Sequence, residues 1–185
     1  MAPTSEATER DAERAAAAEP RRPPVLILVY TWDVLRSILA VFGAIGAFSG
    51  RESNGKDLSV PVSVQIFQAL ADAALAVALF LVGTLLTRRA GWVRRAQVVI
   101  LVMAIVLNAV TVTVTMVTDA SSRDLTTGLV SALFALVDLV VVVAMTSPRI
   151  RGWFDEPGAV PTYMGGLIAF WAAASGAFFV LGLRS

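Results

Sequence analysis

Long apolar runs alternate with short polar connections along most of this chain. The runs are Val25–Phe48, Pro61–Leu86, Ala96–Val117, Gly128–Thr146 and Tyr163–Leu183. An α-helix rises about 1.5 Å per residue, so about 20 apolar residues cross the roughly 30 Å hydrocarbon core of a bilayer. The pattern therefore predicts an all-α fold: a polytopic transmembrane bundle of five spans, with a four-helix core and an added C-terminal helix.

Composition separates a polar tail from one membrane domain. Residues 1–24 are rich in Ala, Glu and Arg and have no apolar face, which predicts a disordered cytoplasmic tail. Residues 25–185 contain all the apolar runs and predict a single transmembrane bundle. The first run is too long for the apolar segment of a cleavable signal peptide, so we expect it to remain as a span.

Two residue types are missing from the chain, and their absence excludes several kinds of chemistry. The sequence has no cysteine and no histidine. It therefore lacks thiolate nucleophiles, imidazole bases and the usual ligands of zinc, haem and iron–sulfur clusters. Because no catalytic motif is recognisable either, we expect a protein that is not an enzyme and that has no catalytic residues, metal or cofactor. The formal net charge of +1 argues against nucleic acid as a partner.

Basic residues are concentrated in alternate connections, and this bias predicts orientation. Eight lie beside the first span and in the second and fourth loops: Arg21, Arg22, Arg88, Arg89, Arg94, Arg95, Arg149 and Arg151. Four lie on the other side: Arg51, Lys56, Arg123 and Arg184. Because cytoplasmic loops are enriched in Arg and Lys, the N-terminus is predicted in the cytoplasm and the C-terminus outside the inner (plasma) membrane. Trp32 is among the aromatic residues expected at the cytoplasmic interface.

Polar side chains interrupt the predicted spans and form a candidate intramembrane polar cluster. Its members are Asp33, Arg36, Gln68, Asp72, Asn108 and Asp138. Arg36, Asp72 and Asp138 lie about 10 or 11 residues into their helices, which predicts a common depth near the bilayer centre. Asp33 is about one turn nearer the cytoplasm, and its spacing from Arg36 allows a pair within the helix.

Two interpretations of this cluster remain open. In the structural one, Arg36 bridges three helices and fixes their register, a role that buried polar groups sometimes have. In the functional one, the acids carry a proton or cation, or hold a basic substrate or an arginine of a partner. An arginine that neutralises the acids favours the structural interpretation.

Two further segments have patterns that indicate a surface role. The loop between the fourth and fifth spans contains Arg149, Arg151, Trp153 and Phe154, which predict an interfacial segment. The alternative is a docking site for a cytoplasmic partner. In the fifth span, small residues recur at helical spacing and predict a helix-packing face: Gly165, Ala169, Ala173 and Gly176. This face can pack against its own bundle, a second copy or a foreign helix.

Two interfacial elements resemble a pattern in small uncharacterised actinobacterial multi-span proteins. One is Arg88-Arg89-Ala90-Gly91-Trp92-Val93-Arg94, and the other is Ser147-Pro148-Arg149-Ile150-Arg151-Gly152-Trp153-Phe154. The resemblance covers roughly residues 25–157. It implies four core helices with the fifth as an addition, and it implies no activity.

The sequence favours a non-enzymatic accessory or assembly subunit, or a homo-oligomer, embedded in the lipid bilayer. The alternative is a small proton- or cation-coupled transporter or channel that uses the intramembrane Asp/Arg cluster. A transporter predicts water-accessible Asp72 and Asp138 on facing helices. A subunit predicts an exposed face of small or charged residues without lipid-facing character.

Overall fold

The structure is a computed structural model, and it describes residues 22–48, 51–53, 56–58, 60–118 and 125–183. The predicted tail, residues 1–24, lies outside the described residues except for residues 22–24. Arg51, Lys56, Arg123 and Arg184 belong to connections or ends of which no side chain is described.

Five long helices dominate the described chain. The elements are α1 (Val25–Gly46), β1 (Arg51–Ser53), β2 (Lys56–Leu58), α2 (Val62–Leu85), α3 (Gly91–Thr118), α4 (Leu125–Thr146), α5 (Pro148–Trp153) and α6 (Thr162–Gly182). All except α5 and the two strands are long and apolar enough to cross a membrane. The prediction of an all-α fold with five spans is therefore confirmed. The strands form a small antiparallel ribbon between α1 and α2.

Prolines set several of the helix boundaries. Pro61 has extended backbone, with ψ of 137°, and α2 begins at the next residue. Ser147 is also extended, and Pro148 then occupies the first turn of α5. Proline fits this position because it lacks only an N–H that would have no partner in the helix. The end of the fourth span is thus predictable from Ser147-Pro148, whereas the short helix α5 after it is not.

The C-terminal helix is an integral part of the bundle. Its closest neighbour is α2, which also packs extensively against α1, while α3 pairs mainly with α4. Met164, Trp171 and Ala174 of α6 are buried in the same hydrophobic core as residues of α2 and α3. The central position of α2 explains why its small residues Ala71, Ala74 and Ala78 are buried, since they allow helices on two sides to approach closely.

The outward surface of the long helices is apolar. Large side chains such as Ile27, Phe80, Val106, Leu133 and Phe170 are well exposed on different helices. A soluble protein rarely exposes contiguous apolar surface on this scale, whereas a bilayer solvates it. With the five spans, this surface defines the molecule as a multi-pass integral membrane protein.

Two connections are tied together at one end of the bundle. Arg89 donates to both carboxylate oxygens of Asp155, at 2.8 and 2.9 Å, and its guanidinium lies 5.3 Å from the ring centre of Trp153. The backbone N–H of Gly91 donates to the carbonyl of Glu156 at 3.0 Å. These contacts join the α2–α3 connection to the segment that precedes α6.

The Arg89–Asp155 pair should contribute little to stability. We expect Arg89→Ala to lower the free energy of unfolding by about 0.2–1 kcal/mol, because exposed ion pairs are weakened by water and salt. Denaturant titration in detergent micelles measures this change, with Arg88→Ala as the control at a neighbouring exposed arginine. A loss above about 2 kcal/mol would contradict the expectation and would make the loop contact a main support of the fold.

Candidate functional site

An ion pair between α1 and α4 lies within the spans. Arg36 donates from Nη2 to Oδ2 of Asp138 at 3.0 Å. Asp138 is 1% exposed, so its carboxylate is almost entirely enclosed by protein. The pair therefore places a charge-assisted hydrogen bond where lipid and protein offer little solvation, and it joins two helices that are far apart in sequence.

Aromatic side chains complete the surroundings of this pair. The indole N–H of Trp32 donates to Oδ1 of Asp138 at 2.8 Å. The ring of Phe134 lies 5.0 Å from the Arg36 guanidinium carbon and 5.7 Å from the Trp32 ring. Asp138 thus has a partner for each oxygen. Trp32, expected in the interfacial belt, is half-buried and has its indole N–H directed into the bundle.

Asp33 is held separately, by a glutamine of α3. Gln97 donates from Nε2 to Oδ1 of Asp33 at 2.6 Å, and both residues are fully buried. The expected pair between Asp33 and Arg36 is not formed in the described chain, because Arg36 reaches α4 while Asp33 faces α2 and α3. Gln97 was absent from the predicted cluster, although it lies 11 residues before Asn108 and hence on a similar face of the same helix.

Helices α1 and α2 exchange aspartate–glycine contacts. A Cβ atom on Gly43 of α1 would lie 2.8 Å from Oδ2 of Asp72 on α2. A Cβ atom on Gly83 of α2 would lie 3.3 Å from Cβ of Asp33 on α1. Each helix therefore provides a glycine that makes room for the acid of the other. We call these two contacts the reciprocal Asp–Gly pairs.

Asp72 lines an open cavity of about 280 Å³ between the helices. The lining comes from four of the long helices, and comprises Arg36, Gln68, Ala71, Asp72, Leu75, Ala104, Leu107, Asn108, Thr111, Trp171, Ser175, Phe178 and Phe179. One water requires only about 10–15 Å³ of such space, so the cavity can hold a larger group. Four members of the predicted cluster line this cavity together: Arg36, Gln68, Asp72 and Asn108.

The carboxylate of Asp72 is available to a ligand. Among the described residues it accepts no hydrogen bond and forms no ion pair. Arg36 is close enough to attract it electrostatically, but the ion pair of Arg36 is with Asp138. Asn108 donates its amide N–H to the carbonyl of Ser131 at 2.8 Å, which leaves its amide oxygen as an acceptor beside the cavity.

The cluster therefore divides into a fixed part and an open part. The fixed part consists of the Trp32–Arg36–Asp138 group and the Asp33–Gln97 pair. The open part is Asp72 with the amide-bearing residues that line its cavity. Trp171 and Ser175 of α6 belong to the open part, although the uncharged sequence of α6 contains no signal for a role in the polar cluster.

The two predicted surface segments differ in their exposure. Gly165, Ala169, Ala173 and Gly176 are exposed on α6, and no other part of the described chain covers this face. Arg149 and Arg151 are exposed, whereas Trp153 and Phe154 are buried in the hydrophobic core rather than lying free among headgroups. Within the described ranges there is no group of three acidic side chains that could hold a metal ion.

No family model, curated protein or solved structure matches the chain. The resemblance to actinobacterial multi-span proteins is thus supported only at the level of class. The helices and their apolar outer surface define that class as α-helical, multi-pass integral membrane proteins.

Proposed function

We propose that this protein is a non-enzymatic carrier or channel of the inner membrane, and that it binds a small cation at Asp72. The observation that carries the proposal is the open carboxylate of Asp72 in a cavity between transmembrane helices. Acidic groups within membrane spans are costly and commonly mark substrate or ion pathways. The distribution of arginine predicts a cytoplasmic N-terminus.

The contrast among the three acids supports this assignment. Asp138 is bound through both oxygens by Arg36 and Trp32, and Asp33 is held by Gln97. Of the two acids that a transporter was expected to expose to water, Asp138 is instead enclosed by protein. Asp33 is fully buried, and its Oδ2 has no hydrogen-bond partner in the described chain. Neither acid faces the cavity. Asp72 combines a location inside the bundle with an unbonded carboxylate, which is the combination that reversible cation binding needs.

Flux measurements on purified protein in liposomes test the proposal. We expect Asp72→Asn to abolish cation or proton flux driven by an imposed gradient, because the amide keeps the size of the side chain but removes its negative charge. Glu156→Gln is the matched control, since this exposed loop acid is changed in the same way far from the cavity. The readout is a pH- or potential-sensitive dye inside the vesicles.

Two outcomes would contradict the proposal: no flux through the protein, or flux that does not depend on Asp72. If liposomes with the wild-type protein show no more flux than empty liposomes for protons, sodium, potassium or organic cations, the proposed transport function is wrong. The same conclusion follows if Asp72→Asn and Glu156→Gln retain equal flux. Thermal unfolding in detergent must show that Asp72→Asn is folded before its flux is compared.

A second candidate function is an accessory or assembly subunit, or a homo-oligomer. The exposed small-residue face of α6 favours it, because such faces let transmembrane helices pack closely. Native mass spectrometry from mild detergent distinguishes a monomer, a homo-oligomer and a complex with a foreign protein. Ala169→Ile should disrupt an assembly made through this face, whereas Ala132→Ile at an exposed position of α4 should not.

A further inference from the structure

We propose that the ligand of the Asp72 cavity is a protonated primary amine joined to a small apolar or aromatic body. This inference rests on the proposed function, and it names the chemical class of the cation. Three properties of the lining carry it: its charge, its hydrogen-bond acceptors and its aromatic side chains.

Charge comes first. Arg36 and Asp138 neutralise one another through their ion pair, and Asp33 is not among the residues that line the cavity. The remaining charge at the cavity is the carboxylate of Asp72. Between transmembrane helices, a single negative charge is best matched by one positive charge on the ligand. A monovalent cation is therefore favoured over an anion or a divalent ion.

The hydrogen-bonding groups favour an ammonium over a bare metal ion. An ammonium group has three N–H donors and no acceptor. The lining offers the carboxylate of Asp72 and the amide oxygen of Asn108, whose N–H is already bound to Ser131. Gln68, on the same face of α2 as Asp72, supplies another amide oxygen. These groups come from two helices, so one ammonium could join α2 to α3.

The aromatic part of the cavity lining suits an apolar body. Trp171, Phe178 and Phe179 of α6 line it, and the two phenylalanine rings are 5.6 Å apart in an edge-to-face arrangement. Aromatic rings attract cations within about 6 Å and also bury apolar groups. A volume of about 280 Å³ lies just below the range of about 300–1,000 Å³ that is usual for drug-sized ligands, which favours a small ligand.

Calorimetric titration of the full-length protein in lipid nanodiscs tests the inference with phenethylamine as the probe. We expect saturable binding of phenethylamine, and much weaker binding of the neutral analogue 2-phenylethanol. Asp72→Asn should lower the affinity for phenethylamine by about 10- to 100-fold, as expected for a hydrogen bond to a charged group. Glu156→Gln should leave the affinity unchanged, and Asp72→Glu should retain part of it.

Each outcome decides between the two proposals. Equal binding of phenethylamine and 2-phenylethanol, or no effect of Asp72→Asn, would show simple partitioning of the probe and would overturn the inference. Flux of protons or sodium that depends on Asp72, without amine binding, would also overturn it and would leave the proposed function intact. Amine binding that depends on Asp72 without any flux would support the inference and contradict transport. Phe178→Ala provides a second variant if Asp72→Asn does not fold, and it should weaken phenethylamine more than methylamine.

Discussion

Replacing Asp138 with alanine should lower the free energy of unfolding by about 3–5 kcal/mol, the cost typical of breaking one partner of a buried ion pair. The substitution removes both the acceptor of the Arg36 guanidinium and the acceptor of the Trp32 indole N–H. Arg36 is then left as an unpaired charge within the membrane, with its Nε already buried and without a hydrogen-bond partner in the described chain. Unfolding by sodium dodecyl sulfate from mixed micelles measures the loss.

A double-mutant cycle separates the pair from its individual members. Asp138→Leu combined with Arg36→Met should recover much of the stability that Asp138→Leu loses alone, because Arg36 is then no longer left as a charge without its partner. Asp155→Ala is the control, since that carboxylate is exposed. A loss below about 1 kcal/mol in Asp138→Ala, or purely additive effects in the cycle, would show that the ion pair does not hold α1 against α4.

The second large effect is expected at Gly43. Gly43→Leu should lower the free energy of unfolding by about 1–3 kcal/mol, the usual cost of overpacking a tight contact. Even the first carbon of the new side chain would meet the carboxylate of Asp72 at 2.8 Å, so the carboxylate must move or the helices must separate. Flux and amine binding should fall as well, because Asp72 is displaced from its place beside the cavity.

Gly46→Leu is the matched control on the same helix. A Cβ atom at Gly46 meets nothing within 4 Å in the described chain, and the residue is exposed. The same chemical change there should leave both unfolding and flux near the wild-type values. Equal effects of the two substitutions would indicate a general cost of replacing glycine in α1, and would remove the special role of Gly43.

The number of spans and their approximate bounds could be predicted from the sequence, because each apolar run matches the thickness of a bilayer. The proximity of Arg36 to both Asp72 and Asp138 could be anticipated from depth, since residues at similar distances from their helix ends lie at a similar height. The start of α3 at Gly91, five residues before the predicted Ala96, could not be predicted from the sequence. Arg94 and Arg95 interrupt the apolar pattern there without preventing a helix.

Which acid is paired and which is open could not be predicted from the sequence. Depth places Arg36, Asp72 and Asp138 together, but the direction of each side chain depends on how the helices rotate and cross. That rotation is set by packing, including the contacts of Asp33 and Asp72 with glycines of the neighbouring helix. The spacing of residues along the sequence does not predict these contacts. The contribution of α6 to the cavity was missed for a related reason. Its uncharged sequence has no polar stripe, and Trp171 and Ser175 line the site only because α6 packs along α2.

The sequence distance between Arg36 and Asp138 has a consequence for biogenesis. The two residues are 102 positions apart, and synthesis delivers α1 to the membrane well before α4. During that interval Arg36 is without its final acceptor, while the reciprocal Asp–Gly pairs can already form because α1 and α2 are consecutive. We therefore expect an α1–α2 hairpin to form early in insertion, α4 to neutralise its arginine later, and α6 to pack against α2 last.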